Sequence, residues 1–234
     1  MNKADFVKVA GILNKKYFRR EEKLEPFEVL VHGILSTRTK DTTTIPAQKR
    51  LLSVAGTPHA IEKMKTNNIE KIIYPVGFYR TKARLLKRAC RTLVDLFGSE
   101  VPSNKADLMK IPGVGNKVAS LVLERGFNLP YIAVDTHVNR ISQRLGIVGA
   151  DSRPTETEII LEGVLKPKLR LRINSSFVWF GRDICRPVSP LCGVCPVYKY
   201  CGFKFKSKYA NRHQHDRSVR NKPLDKDINN HIQG

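Results

Sequence analysis

The spacing of apolar residues limits the possible folds of this chain more than any other feature. Apolar side chains recur every three or four positions along most of the length, which is typical of helices that bury one face. The clearest run consists of Phe27, Leu30, Val31, Ile34 and Leu35. Only residues 131–134 form a short strand-like run. The sequence therefore predicts an all-α protein.

Glycines and small polar residues predict where several helices begin and end. One apolar stripe stops at Gly98 and another at Gly146. Glycine commonly ends a helix because it adopts a positive φ without a steric penalty. Asn68 and Thr155 precede two other stripes, and their side chains are predicted to cap the helices that follow.

The charge balance indicates a polyanionic partner. Lys and Arg outnumber Asp and Glu by 42 to 21, which gives a formal net charge of +21 at pH 7. Such a surface attracts phosphate groups, although ribosomal and membrane-surface proteins share this feature. No apolar run reaches the roughly 18 residues that a membrane span needs, and no export signal follows Met1. We therefore expect an intracellular protein.

A glycine-containing turn joins two of the predicted helices. Pro112, Gly113, Val114 and Gly115 lie between the stripes, and two glycines at a helix N-terminus can present backbone N–H groups to one phosphate. A dinucleotide-binding fingerprint is excluded because it needs a third glycine where Val118 stands, after a strand that is missing here. A simple glycine-rich connection between helices remains the alternative.

Two titratable residues near this turn are candidates for chemistry. Lys117 falls in the first helical turn, where the positive end of the helix dipole favours the neutral amine that a nucleophile needs. An ordinary solvated lysine is the alternative. Asp135 is placed to cap the next helix, and an ionised carboxylate there can also stabilise a cationic sugar or relay protons. His137 is predicted to be a packed residue.

Four of the five cysteines crowd into 17 residues and predict a metal site. They are Cys185, Cys192, Cys195 and Cys201. In a chain without an export signal, clustered cysteines favour metal binding over disulfides. Four thiolates can hold zinc or an iron–sulfur cluster, and their spacing alone leaves both possible.

Together, the turn and the cysteines resemble the endonuclease III superfamily. Residues 111–117 and 133–137 resemble its helix-hairpin-helix/Gly-Pro-Asp core, and the Cys-x6-Cys-x2-Cys-x5-Cys spacing resembles its iron–sulfur loop. The resemblance covers roughly residues 25–202. It implies a 4Fe-4S cluster on the four cysteines. It also implies two lobes with double-stranded DNA between them: a helical barrel at 22–130, and a cluster lobe at 1–21 plus 131–205.

The resemblance also implies an activity, that of a bifunctional DNA glycosylase and AP lyase in base-excision repair. In this family the hairpin, here Gly113, Val114 and Gly115, grips the DNA backbone and the damaged nucleotide is flipped out. Lys117 matches the lysine that attacks C1′ of the sugar, and Asp135 matches the catalytic aspartate. Oxidised pyrimidines such as thymine glycol are the implied substrates. We expect a monomeric cytoplasmic enzyme associated with the nucleoid.

Two positions depart from the family pattern and concern the space left by the flipped base. Arg38 stands where endonuclease III has glutamine, and Phe78 stands where leucine is usual. Arg38 can donate to the orphaned base and Phe78 can stack between its neighbours, but the preference for the opposite base is expected to change. Arg186, in the cysteine loop, is a further candidate for phosphate contact.

Two alternatives and one terminal segment complete the expectations. The chain is alternatively a mismatch glycosylase, acting on thymine or uracil opposite guanine or on adenine opposite oxidised guanine. A non-catalytic DNA-binding protein that uses the hairpin only as a grip is the other alternative. Residues 206–234 are polar and basic, which predicts a flexible tail that either adds DNA affinity or is inert.

Overall fold

The computed structural model describes residues 1–19 and 24–214, with side chains up to residue 211. Twelve α-helices occur in this part of the chain. They are α1 (Lys3–Tyr17), α2 (Pro26–Ser36), α3 (Asp41–Val54), α4 (Pro58–Lys63), α5 (Thr66–Ile73), α6 (Tyr79–Phe97), α7 (Lys105–Leu108), α8 (Asn116–Leu121), α9 (Thr136–Leu145), α10 (Pro154–Val164), α11 (Pro167–Asp183) and α12 (Lys206–Gln214). The described residues contain no strand, and the all-α prediction is confirmed.

Helix ends follow the glycine signals but not every predicted cap. Gly98 and Gly146 end α6 and α9 with φ values of 58° and 82°. Asn68 does not cap a helix, because α5 begins two residues earlier at Thr66. Thr155 lies inside α10, which begins at Pro154. Proline has its φ already fixed for the first helical position, so it sets the start of α10 ahead of the threonine.

Two hydrophobic cores organise the described residues. The first is built from α2 to α8 and contains Leu35, Leu51, Ile73, Leu86 and Leu123, each at most 1% exposed. It surrounds α2, which contacts α3, α6 and α8. The central position of α2 explains why six of its eleven residues are buried.

The second core joins the N-terminal helix to the later part of the chain. Helix α1 packs along α11, with Phe6 edge-on to Phe177 and Tyr17 tilted against Phe180. Helices α9 and α10 complete this core. The predicted lobe boundaries at 130 and 205 stay a prediction, and the one at 22 falls in residues 20–23, outside the described residues.

The segment 131–135, which links the two cores, forms neither helix nor strand. Its backbone hydrogen bonds go to side chains instead: Ile132 N–H donates to Glu162 and Ala133 N–H donates to Glu124. The Ala133 carbonyl accepts from Nδ2 of Asn174 at 2.6 Å. Side-chain partners thus satisfy the buried backbone where a sheet would otherwise be needed.

The predicted flexible tail is corrected at its beginning, because Lys206–Gln214 forms α12. Nζ of Lys206 donates to the carbonyl oxygens of Cys201 at 2.6 Å and Tyr198 at 3.2 Å. Phe203 stacks on Tyr209. These contacts stabilise α12, and they cannot be recognised from the spacing of apolar residues in the sequence. The remainder of the predicted tail, residues 215–234, lies outside the described residues.

Within the described ranges, none of the helices combines the length and apolar character required to span a lipid bilayer.

Candidate active site and cluster site

The glycine turn is a hairpin between α7 and α8. Gly113 has a φ of 86°, and the N–H of Val114 closes the turn on the carbonyl of Ile111 at 3.0 Å. Gly115 precedes α8 with a φ of −94°, so of these two glycines Gly113 alone adopts a positive φ. A Cβ at Gly115 would meet nothing within 4 Å. The hairpin backbone is therefore open to an outside partner at this glycine.

Lys117 lies exposed in the first turn of α8. Its neighbours Asn116 and Ser120 are held by hydrogen bonds to a residue of α10, a helix of the second core. The carboxylate of Glu158, in α10, accepts hydrogen bonds from Nδ2 of Asn116 and Oγ of Ser120. It also pairs with Nζ of Lys105 at 2.8 Å. Glu158 is 4% exposed. One buried carboxylate of α10 thus binds a residue on each side of Lys117 and fixes α8 relative to the second core.

Asp135 caps α9 and stays ionised. Its side chain accepts from the backbone N–H groups of His137 and Val138 at 2.8 and 2.9 Å. Burial by itself would raise the pKa of Asp135. A hydrogen bond from the His137 side chain, then the bond from the Val138 N–H and, to a smaller extent, the positive charge of Lys117 outweigh burial and lower the pKa below its usual value. The structure thus places the carboxylate within electrostatic reach of the Lys117 ammonium.

His137 both packs and hydrogen-bonds. Its Nδ1 lies 3.2 Å from Oδ2 of Asp135. A Cβ at Gly181 in α11 would fall 2.7 Å from the imidazole ring. The packed role predicted from sequence is therefore incomplete, because the ring also orients the carboxylate.

Arg38 and Phe78 lie on loops that touch. Both residues adopt positive φ angles, 53° and 57°, a region that few residues other than glycine enter. A Cβ at Gly77 would lie 3.1 Å from Oγ1 of Thr39 and 3.4 Å from the Arg38 carbonyl. The side chains of Arg38 and Phe78 are both exposed, Phe78 by 64%. They therefore belong to one surface.

Lys82, a buried lysine that the sequence does not single out, hydrogen-bonds the loop that carries Arg38. Nζ of Lys82 donates to the carbonyl oxygens of Leu35 and Thr37, both at 2.7 Å, and to Oγ1 of Thr39 at 2.9 Å. Burial lowers the pKa of Lys82 to about 8, so the ammonium form still prevails at neutral pH. The available signal was its place four residues before Leu86 on the buried face of α6.

The four clustered cysteines line one apolar cavity, together with residues of α9 and α11. Burial, followed by the charges of Cys201 and Cys185, raises the pKa of Cys192 to about 11. Burial also raises the pKa of Cys195 to about 12. Burial thus favours the neutral thiols, and a cationic iron–sulfur core would supply the charge that stabilises them as thiolate ligands. The donor set and its enclosure fit the cluster.

Arg144, at the end of α9, holds the first part of the cysteine loop. Its guanidinium donates to the carbonyl oxygens of Arg186 at 2.6 Å and Pro187 at 2.9 Å. It also lies 3.5 Å from Sγ of Cys185. The Arg186 side chain is exposed, with Nε on the Arg182 carbonyl. One helix therefore carries Asp135 at its start and supports the cluster loop at its end.

Comparison with known proteins agrees with this arrangement. Residues 31–167 match the HhH-GPD superfamily of base excision DNA repair proteins, and residues 185–201 match the iron–sulfur binding domain of endonuclease III. The chain is a member of the HhH-GPD superfamily.

Its relatives narrow the class further. Endonuclease III of Thermotoga maritima is 43% identical over 189 residues, covering 81% of this chain and 88% of that protein. A trapped covalent endonuclease III–DNA intermediate superposes with a TM-score of 0.82 at 32% identity, covering 89% of this chain and 98% of the other. The chain belongs to the endonuclease III family, which makes it a DNA glycosylase/AP lyase with a 4Fe-4S cluster.

A thermostable thymine-DNA glycosylase has the same fold, with a TM-score of 0.76 over 90% of this chain and 97% of its own. Its identity to this chain is 22%. This likeness extends to the fold and carries no information on the preferred base.

The cluster assignment predicts the behaviour of a single-ligand variant. Cys192→Ser is expected to lose iron and visible absorption, because a neutral hydroxyl replaces one of four thiolate ligands. Iron content per protein and the absorption spectrum measure the change. Cys90→Ala is the matched control: Cys90 is buried in the other core, so its loss should leave the iron content as it is. Wild-type iron and colour in Cys192→Ser would contradict the ligand assignment.

Proposed function

We propose that the chain removes oxidised pyrimidines, thymine glycol among them, from double-stranded DNA, with Lys117 as nucleophile and Asp135 as its carboxylate partner. One observation carries the proposal. An exposed primary amine in the hairpin helix lies within electrostatic reach of a carboxylate that is kept ionised at the start of α9. A related endonuclease III has been trapped as a covalent intermediate with DNA.

The DNA contacts in this proposal come from three surfaces. Gly113, Val114 and Gly115 present hairpin backbone to a phosphate, and the open space at Gly115 supports a close approach. Arg38 and Phe78 enter the duplex where the damaged nucleotide leaves it, and their exposure on adjoining loops supports this role. Arg186 meets a phosphate from the cysteine loop. The net charge of +21 favours all three contacts.

The chemistry follows from a flipped nucleotide, because the sugar carbon is shielded inside a stacked duplex. The neutral amine of Lys117 forms a bond to C1′ as the bond from C1′ to the base breaks, and the base departs with the electron pair. Asp135 stabilises the positive charge that develops on the sugar. The bond between C1′ and O4′ then breaks, a proton passes from the Lys117 nitrogen to O4′, and the products are an imine on Lys117 and a free 4′ hydroxyl. Loss of a 2′ proton then expels the 3′ phosphate, which nicks the strand by β-elimination.

Three further points belong to the same proposal. The enzyme acts as a monomer, which is supported by the presence of Lys117 and Asp135 in one chain. It is cytoplasmic and associated with the nucleoid, as its positive charge favours. The barrel at 22–130, the cluster lobe at 1–21 plus 131–205 and a terminal segment at 206–234 are its units; the two separate cores support the first two.

Borohydride trapping distinguishes this proposal from its rivals. The purified protein is mixed with duplexes that carry thymine glycol, an abasic site, or guanine opposite thymine or uracil. A covalent adduct with thymine glycol is expected, since borohydride reduces the imine to a stable amine. Base release from a mismatch without an adduct would instead identify a mismatch glycosylase. Neither release nor adduct on any duplex would leave a DNA-binding protein without catalysis.

A further inference from the structure

His32 lies in α2 beside a close contact between α2 and the hairpin helix. The residue after it, Gly33, has no room for a side chain, because a Cβ there would fall 2.6 Å from Cγ1 of Val118. Val118 is in turn the neighbour of Lys117. His32 and Lys117 therefore flank the same helix–helix contact, one on each helix.

The hydrogen bonds around His32 decide which ring nitrogen carries the proton. Nε2 of Gln48 donates to the Glu28 carbonyl at 2.9 Å, which turns the amide oxygen of Gln48 toward the ring. That oxygen lies 3.0 Å from Nδ1 of His32. An amide oxygen only accepts, so Nδ1 is the donor. In the neutral ring, Nε2 is then a hydrogen-bond acceptor.

The ring is neutral and its acceptor is open. Burial lowers the pKa of His32, and the charges of Arg125 and Lys117 act in the same direction against Asp41 and the Gln48 hydrogen bond. Among the described residues, the buried side-chain N and O atoms without a partner belong to Asn14 and Ser142. Nε2 of His32 also lacks a protein partner in the described part of the chain, but it is not among these buried atoms. It is therefore accessible to solvent.

Charged residues from three elements act electrostatically on the His32 ring. Lys117 comes from α8, Asp41 from the start of α3, and Arg125 from the π-helical turn Val122–Gly126 that continues α8. Nδ2 of Asn174 fixes the Ala133 carbonyl, and Arg125 reaches Oδ1 of Asn174 at 3.4 Å, so the second core borders the same space. An open acceptor beside the proposed nucleophile, between the two cores, is a place for the flipped base.

We propose that Nε2 of His32 accepts a hydrogen bond from a ring N–H of the flipped base and thereby selects the lesion. The preferred class is a pyrimidine with an N–H between two carbonyl groups, as in thymine- and uracil-derived lesions. Cytosine-derived bases present an acceptor nitrogen at that ring position and leave Nε2 unpaired. This inference rests on the proposed function, since it concerns the base that Lys117 releases.

The test separates base recognition from sugar chemistry. Single-turnover base release is measured on duplexes with thymine glycol, and β-elimination is measured on a preformed abasic site, which has no base to recognise. His32→Phe keeps a ring and removes the acceptor. The ratio of the two rates is expected to fall about fivefold, which corresponds to the usual net worth of a neutral hydrogen bond. His32→Gln, which restores an amide acceptor, is expected to recover part of the ratio.

Controls cover both the variant and the substrate. His59→Phe changes an exposed histidine of α4 and should keep the wild-type ratio. A thymine glycol methylated at the N–H should lower the wild-type ratio about as much as His32→Phe does, without any change to the protein. Equal rates for the methylated and unmethylated bases would overturn the inference, as would an equal loss of both rates in His32→Phe. Absence of release and elimination in the wild-type protein would instead refute the proposed function.

Discussion

Lys117→Ala is expected to abolish the borohydride adduct on thymine glycol duplexes. Alanine has no amine, so no imine forms, and strand nicking should fall by a factor on the order of a thousand or more, as is common when an enzyme loses its nucleophile. Binding of the duplex should change little, because the hairpin backbone and the basic surface remain. Trapping is read on a denaturing gel and binding by a mobility shift on the same duplex.

Lys110→Ala is the matched control for this variant. Lys110 belongs to the same hairpin, is exposed, and pairs with Asp107 at 2.6 Å. Its removal also deletes one positive charge near the DNA, so any loss that comes only from charge appears in both variants. An adduct that survives in Lys117→Ala would show that another amine is the nucleophile.

Lys82 is the amine to compare in that case, because burial lowers its pKa to about 8. Its geometry opposes a nucleophilic role. Nζ is enclosed, and three oxygen acceptors occupy its donors. A side chain that is 4% exposed does not reach a sugar carbon without breaking those contacts. The exposed position of Lys117 is therefore the stronger basis for the assignment.

Local signals explain what the sequence predicts well. Gly98 and Gly146 end their helices in the left-handed region, a choice that depends on one residue and its own backbone. The four cysteines lie in one short segment, so their convergence needs no knowledge of the fold. The hairpin is also formed by consecutive residues, so it can be recognised without knowledge of the fold. Lys117 and Asp135 are 18 positions apart, and only the family pattern relates them before the structure does.

Contacts between distant segments explain what the sequence does not predict. Glu158 reaches Asn116 and Ser120 across about forty positions, and no periodicity marks it as a partner of the hairpin. The caps predicted at Asn68 and Thr155 fail because local propensity is a weak preference that flanking residues and packing override. Helix α12 is missed for a related reason: it is held by contacts with the cysteine loop rather than by an apolar stripe of its own.

Glu158→Ala is expected to lower the free energy of unfolding by about 3 kcal/mol, the low end for removing one partner of a buried ion pair. The low end applies because 24% of the Lys105 side chain is exposed, so water can solvate its ammonium group after the carboxylate is removed. Ser120 is fully buried and loses its acceptor altogether. Urea unfolding at neutral pH measures the change, provided that the slope with denaturant stays the same.

The same variant should also slow the chemistry, because Glu158 fixes the helix on both sides of Lys117. Glu156→Gln is the matched control: this carboxylate lies on the same helix and pairs only with Arg153 among the described contacts, so its replacement should change both the free energy of unfolding and the rate little. Adding Ser120→Ala to Glu158→Ala should cost less than the sum of the single changes, since the hydroxyl has already lost its acceptor. Strict additivity would mean that Glu158 and Ser120 do not act together. In that case α8 would owe its position to the packing of Val118 against Gly33 and not to the carboxylate that joins the two cores.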